Sequence, residues 1–231
     1  MSDAALAVLM RWPRRGQGKS RLAAEVGVDA AHRLHCAFVA DTLGWPQPRP
    51  RTLAVALDAG AVAAARAAAP DALVVEQPDG DLGARIAAAL QAAFRRGAQR
   101  AVLVGTDSPS LPHHLLAACL DAAAQRGAAM VPAEDGGFVA LAVHRDAVHG
   151  HGLEWLQDGI AWSTDRTAAQ VCAAAAARGL DVTATAPWFD VDTAADLDRL
   201  YAGLRRAPVR APLTLRCLGE LGWGGIVERA S

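Results

Sequence analysis

The stretch RAVLVGTDSPSLP, residues 100–112, reads as a buried strand running directly into a polar loop. After Arg100, the run Ala101–Val104 is continuously apolar, the pattern of a short strand covered on both faces. The loop GTDSPSLP at 105–112 then brings Asp107 to the strand's carboxyl end, among small residues. Ser110 is the expected N-cap of a helix over His113–Gln125. Open α/β sheets bind their ligands outside the carboxyl ends of the strands, so Asp107 is the first candidate site residue. An aspartate in that place is a natural ligand for Mg²⁺ or Mn²⁺. Its structural alternative is an N-cap or an Asx turn.

Working outward, the same alternation recurs along the chain. Ala4–Met10 is a buried strand, and 11–21, broken by Pro13, Gly16 and Gly18, is a loop. Asp29–Leu43 has helical spacing, with Leu34, Phe38 and Leu43 near one face. Pro46, Pro48 and Pro50 mark a turn-rich connection to a strand at Thr52–Leu57. A helix at Ala59–Ala69, a strand at Leu73–Glu76 and a helix at Leu82–Arg96, closed by Gly97, follow. Downstream, Ala128–Val131 is a strand, and Phe138–Val143 its antiparallel or crossing partner. His144–Gly159 reads as irregular, Thr164–Arg178 as a helix capped by Gly179, and Leu180–Thr185 as a strand. Thr193 opens a last helix, with Asp196 as its capping-box partner. Strands alternating with helices predict an α/β fold, a mostly parallel central sheet with helices on both faces. Residues 1–204 are expected to form a single domain. From 205 to 231 the periodicity fades, and this extension either packs on the domain or is partly mobile.

Composition narrows the class. Hydrophobic residues are 52% of the 231, which excludes disorder over most of the length. The formal net charge of -1 argues against nonspecific nucleic-acid binding, so any anion site is local. Cys36, Cys119, Cys172 and Cys217 are far apart and form no CxxC pair, which fits neither a disulfide framework nor a zinc site. The first apolar run is too short for a signal sequence, and no segment reaches the roughly 18 apolar residues of a membrane span. A cytoplasmic protein without membrane association is expected. Lys19 is the only lysine in the chain.

Three further segments carry chemistry. In RWPRRGQGKSRLA, 11–23, Gly16 and Gly18 let backbone N–H groups approach a phosphate, and Arg14, Arg15, Lys19 and Arg21 add charge. The loop does not satisfy GxxxxGK[ST], and a solvated basic turn is its alternative. In PAEDGGF, 132–138, Asp135 precedes Gly136 and Gly137; the glycines either make room for a ligand or form a hairpin turn. In WFDVDTAADL, 188–197, Asp190 and Asp192 flank Val191. In an extended segment both carboxylates point the same way and repel unless a cation lies between them. Otherwise they serve solvent or the following helix's positive end.

The order of these segments resembles the nucleotide-diphospho-sugar transferase superfamily of GT-A-type fold. More narrowly, it is similar to a bacterial family of candidate glycosyltransferases, some linked to arsenosugar biosynthesis. The matching pieces run from Pro13 to about Leu200: GKSRLA at 18–23, FVADTL at 38–43, DLGARI at 81–86, GTDSPSLP, PAEDGGF, AWST at 161–164 and FDVDTAADL. GKSRLA and DVDTAADL also resemble the 2-phospho-lactate guanylyltransferases. The resemblance implies that Lys19 and Arg21 hold phosphates, and that Gln77, Gly80, Leu82 and Gly83 lie near the nucleobase or ribose. It implies that Asp107 and one or both of Asp190 and Asp192 bind the metal. The chain departs from the family in its more basic first loop, in Phe138 where tyrosine is usual, and in His149 and His151.

Three functions follow as hypotheses. A glycosyltransferase would use a metal to stabilise the leaving nucleoside diphosphate. Asp135 would be the base, and Gly136, Gly137, Trp162, Ser163 and Thr164 would shape the acceptor side. A nucleotidyltransferase would use Lys19 and Arg21 catalytically, on the pyrophosphate leaving group. A non-enzymatic nucleotide sensor would bind without turnover. As an exposed loop charge, Lys19 is expected to be replaceable without loss of the fold.

Overall fold

The computed structural model describes residues 3–46, 51–55 and 59–224. Its centre is β1 (Ala4–Met10), whose side chains are almost completely buried. A strand buried on both faces needs apolar residues at every position, which AALAVLM supplies. After α1 (Ser20–Val26) and α2 (Val28–Gly44), β2 (Arg51–Val55) pairs parallel to β1. Then α3 (Ala59–Ala68) leads to β3 (Leu73–Glu76), which pairs parallel to β2. The chain returns through α4 (Leu82–Arg95) to β4 (Arg100–Val104), parallel to β1 on its other side. Next come α5 (His113–Arg126), β5 (Gly127–Pro132) and β6 (Phe138–His144). Strand β6 lies antiparallel between β4 and β5. Helices α6 (Arg145–His151) and α7 (Thr167–Ala177) precede β7 (Asp181–Ala184), which pairs parallel to β5. The sheet order is β3-β2-β1-β4-β6-β5-β7, with β6 the reversed strand. The strand order turns around between β1 and β4, and that switch point opens a crevice at their carboxyl ends.

Alternate side chains of β1 enter two cores. Leu6, Val8 and Met10 pack with Val39 and Leu43 of α2, Val62 of α3 and Leu116 of α5. Ala5 and Ala7 face Ile86 and Leu90 of α4, Trp155, and Val171 of α7. A third cluster joins α1 and α2 to α8 (Ala194–Arg206) and α9 (Pro212–Glu220) through Leu22, Leu34, Phe38, Leu200 and Leu218. The α8 start carries the reciprocal Thr193–Asp196 capping box expected from the sequence.

Several local expectations change. Helix α1 begins at Ser20, at the end of the stretch expected as a loop over 11–21. The N-cap of α5 is Pro112 rather than Ser110, which is buried. The stretch after β6 is not irregular: His144 caps α6 by accepting from the Asp146 amide, and Glu154–Gln157 forms a 3-10 turn. Helix α7 begins at Thr167, because 161–166 are turns. The expected proline-rich connection at 47–50 and the end of the 52–57 strand lie outside the described residues.

Within 205–231, the described residues end α8, make a 3-10 turn at Pro208–Arg210 and form α9, and the reason for α9 lies in α2. Asp41, 5% exposed, accepts the amides of Leu213 (3.1 Å) and Thr214 (2.7 Å) in the first turn of α9. A remote carboxylate thus supplies the N-cap that the local sequence lacks. Asp41→Ala leaves those amides unpaired in a buried place. It is expected to cost about 2 kcal/mol, a Tm fall of roughly 4–8 °C, with cleavage of α9 under limited proteolysis. An unchanged melting curve would refute this account.

Candidate functional site

The loop after β1 ends at Lys19, whose backbone takes a left-handed turn (φ 49°) before α1. The turn sends its side chain inward across the switch point. The ammonium lies 2.9 Å from Asp107 Oδ1, 3.2 Å from Asp192 Oδ1, and donates to the Val191 carbonyl at 2.6 Å. It also stands 5.8 Å from the Phe38 ring centroid. The Lys19 side chain is 5% exposed, which corrects the expectation of an exposed loop charge. Arg21 reaches the other oxygen of Asp192 at 2.5 Å. The Val191 amide donates to the Asp107 carbonyl at 2.9 Å, so the β4 loop and the 188–193 segment are also joined through their backbones.

Asp190 and Asp192 both face one cavity, while Val191 between them is fully buried. The Ser108 hydroxyl lies 2.8 Å from Asp190 Oδ1 and 2.9 Å from the Phe189 carbonyl. Burial pushes the Asp190 carboxyl up to about 6; the Ser108 hydrogen bond opposes this, and the charges of Asp107, Asp135 and Asp192 add to it. Asp135 is exposed, and its Oδ1 accepts the Gly137 amide at 3.0 Å. It therefore forms the turn between β5 and β6 and also lines the cavity. This cavity holds about 580 Å³. Its floor is apolar, including Leu9, Leu82 and Ile86, and Phe138 and Trp162 meet edge to face at 6.3 Å. Ser163 and Thr164 close one side. Among the described residues, Lys19 and Ser163 (φ 62°) are the non-glycine residues with positive φ, and both border the site.

A second cavity of about 290 Å³ adjoins the first and shares Leu9, Gly105 and Asp107 with it. Arg11, Gly18, Lys19, His35, Gln77 and Arg85 also line it. Gln77 is buried and donates its side-chain N–H to the Met10 carbonyl at 2.8 Å. Gly16 and Gly18 border a third hollow, on the far side of the loop, together with Arg14 and His32.

Of the other glycines, Gly83 touches neither cavity that meets at Asp107. A Cβ there would stand 1.8 Å from the Leu156 carbonyl oxygen, so its role is backbone packing of α4 on the 3-10 turn. Gly136 is similar: a Cβ would stand 1.9 Å from the Asp165 carbonyl oxygen, and its own carbonyl accepts the Ala168 amide at 2.9 Å. Gly80 has φ 119° and shapes the turn before α4. His149 lies on α6 beside Arg95 and Arg145, away from this site. The sequence reading did not single out His35, Arg85, Arg11 or Ser108 as site residues. Ser108 and Arg85 sit inside the quoted motifs, whereas nothing in the pattern of α2 marks His35.

The carboxylates fit a hard divalent cation. Their donors are all oxygen, and Asp190 is half-buried among the charges of Asp107, Asp135 and Asp192, with no countercharge of its own among the described residues. Lys19 already occupies the space between Asp107 and Asp192. No group of three or more His, Cys, Asp or Glu among the described residues makes a ready metal cage. An ion there would take most of its ligands from water and phosphate, as Mg²⁺ does.

The fold is that of the nucleotide-diphospho-sugar transferases. It is similar, with TM-score 0.85 and 29% identity over 95% of each chain, to the crystal structure of a candidate nucleotide-diphospho-sugar transferase from Desulfovibrio desulfuricans G20. Likeness of fold alone extends to 4-diphosphocytidyl-2C-methyl-D-erythritol synthase from Anaerococcus prevotii (TM-score 0.57, 11% identity, 88% of this chain and 97% of that one). It extends also to a cytidylyltransferase from Leptospira borgpetersenii (TM-score 0.54, 13% identity, 91% and 97%). No match is found among curated proteins. Residues 41–164, more than half the chain, match the bacterial family described as "Uncharacterized protein conserved in bacteria (DUF2064)", and the chain belongs to that family.

Proposed function

We propose that this protein transfers a glycosyl group from a nucleotide-diphospho-sugar to a small acceptor, with Mg²⁺ or Mn²⁺ at the carboxylates. The observation that carries this reading is the pair of cavities meeting at Asp107. One is lined by cations, Arg11, Lys19 and Arg85; the other by carboxylates and an aromatic pair. A diphosphate fits the first. A sugar fits the second, where rings present apolar faces and carboxylates accept hydroxyl hydrogen bonds. Likeness to a candidate nucleotide-diphospho-sugar transferase supports the donor class.

In this reading Asp107 and Asp190 would hold the ion, which would neutralise charge on the leaving diphosphate. The chain's own groups do the rest. Lys19 fixes Asp107 and Asp192 against each other, Phe138 and Trp162 wall the reacting centre, and Asp135 takes the acceptor proton. Gly137 anchors Asp135 Oδ1, which leaves the second oxygen for the acceptor. Asp135→Asn is expected to lower turnover about a hundredfold or more, with the Tm within 1–2 °C of the parent, since the side chain is exposed. Unchanged turnover would remove Asp135 as the base.

The second reading, nucleotidyl transfer with loss of pyrophosphate, is favoured by the exposed guanidinium groups around the loop at 11–21. The deciding experiment incubates the protein and Mn²⁺ or Mg²⁺ with a panel of nucleotide sugars and nucleoside triphosphates, plus candidate acceptors. Release of nucleoside diphosphate from a nucleotide sugar supports glycosyl transfer. Pyrophosphate release from a triphosphate overturns it, and binding without either product points to a sensor.

A further inference from the structure

Any phosphorylated donor brings negative charge that the site must meet, and Lys19 is poorly placed to meet it. Its ammonium is already matched by two carboxylates and a carbonyl, at 2.9, 3.2 and 2.6 Å. Arg21 is likewise engaged with Asp192. Two guanidinium groups on the cationic cavity, of the exposed Arg11 and the half-buried Arg85, have no carboxylate partner among the described residues. Arg85 in particular carries a buried Nε without a hydrogen-bond acceptor. A guanidinium on a cavity wall without a carboxylate partner is left to the anionic oxygens of a ligand.

His35 strengthens the case. It is 5% exposed, on the buried side of α2, yet no hydrogen bond from its ring to the protein is present among the described residues. Its ring lies 3.6 Å from where a Cβ on Gly18 would stand and lines the cavity with Arg11 and Arg85. Burial lowers its pKa; Asp107 pulls the other way, and Lys19, His32 and Arg11 add to the lowering. The lowering favours the neutral imidazole, which has one N–H to donate. Gly18 at this spot keeps the loop backbone thin over the ring.

We propose that His35 and Arg85, with Arg11 at the mouth, form the subsite for the donor's diphosphate, and that Lys19 is a brace beside it rather than a phosphate ligand. Arginine supplies the forked donors that phosphate oxygens accept, and His35 adds a neutral donor from the buried side. The proposal rests on the reading of a nucleotide-diphospho donor but not on which group is transferred.

Inorganic pyrophosphate, which has no base or sugar, is the probe. Calorimetric titration of the full chain with pyrophosphate and Mg²⁺ should show binding. Arg85→Gln and His35→Phe should each weaken it tenfold or more. Arg178→Gln should leave it unchanged, because Arg178 is paired with Asp158 and lies outside the cavity. His35→Gln, which restores an N–H donor, should recover part of the loss. If His35→Phe does not fold, Arg85→Gln decides. A parent that does not bind pyrophosphate, or variants that bind it as the parent does, overturns the proposal. If the variants lose pyrophosphate while the parent turns over no nucleotide sugar, the subsite stands and the glycosyl-transfer reading falls. Turnover with unchanged pyrophosphate affinity gives the reverse.

Discussion

Asp190→Asn is expected to raise the Tm at pH 7.5 in the presence of a chelator, leave it nearly unchanged at pH 4, and cut turnover by roughly 10³-fold. The Asp190 carboxyl is pushed up to about 6, chiefly by burial, against about 3.9 in an unfolded chain. Between those values the folded protein keeps a proton that the unfolded chain releases. Stability therefore falls as pH rises from about 4 to about 6, and the loss is complete above that window. The difference corresponds to about 3 kcal/mol at neutral pH, or roughly 6 °C or more in Tm for a chain of this size. Asparagine cannot ionise, and its oxygen still accepts from Ser108, so the variant is relieved of that cost. It also lacks the charge needed to hold a divalent ion, hence the loss of turnover. Thermal scans of parent and variant at both pH values check the first part. An equal Tm difference at pH 4 and pH 7.5 would show that Asp190 is not a strained carboxylate.

The same segment shows what the sequence discloses and what it hides. Asp107 after AVLV and the alternation of Asp190, Val191 and Asp192 are local patterns, and strand geometry alone brings them to one edge of the sheet. The alternating order likewise suffices for a mostly parallel sheet, whereas the reversed direction of β6, which the sequence leaves open as antiparallel or crossing, is settled only by its pairing with β4 and β5. Long-range partners leave no local trace. The capping of α9 by Asp41 links positions 172 residues apart or more, so the tail's helix is invisible in the tail itself. The α6 region reads as irregular because Gly150 and Gly152 break its periodicity, while its fixed points, such as Trp155 and Leu156, pack on a helix some 70 residues earlier in the chain. Gly83 shows the converse. A glycine in a motif suggests a ligand, but the Leu156 carbonyl oxygen, 1.8 Å from where a Cβ would stand, is a packing reason that only the folded chain reveals. His35 stayed hidden because a histidine on an amphipathic helix looks like any other half-polar position until the cavity beside it is seen.

Lys19→Met is expected to destabilise the fold as well as reduce turnover. An exposed loop charge would be silent in stability, but the Lys19 side chain is 5% exposed, and Asp107 and Asp192 are 49% and 28% exposed. Removing one partner of a fully buried pair costs about 3–5 kcal/mol, because the other charge is left without a countercharge. The aspartates here keep some solvent, which reduces the penalty to about 2 kcal/mol, a Tm fall of roughly 4–8 °C. Methionine fills much of the lysine stem's volume, so the loss reports the charge rather than a cavity. A double-mutant cycle separates the two. In a Lys19→Met background, Asp192→Asn removes a carboxylate that has already lost one of its two partners, and should cost less than it does in the parent. A coupling of about 1 kcal/mol or more between the two positions is expected. Arg21 remains on Asp192 in the single variant, so the coupling to Asp107, measured with Asp107→Asn, should be at least as large. If Lys19→Met melts like the parent and both cycles close to zero, the brace does not exist in solution. Lys19 would then be free to serve the donor's phosphates, as the resemblance to nucleotide-using transferases first implied.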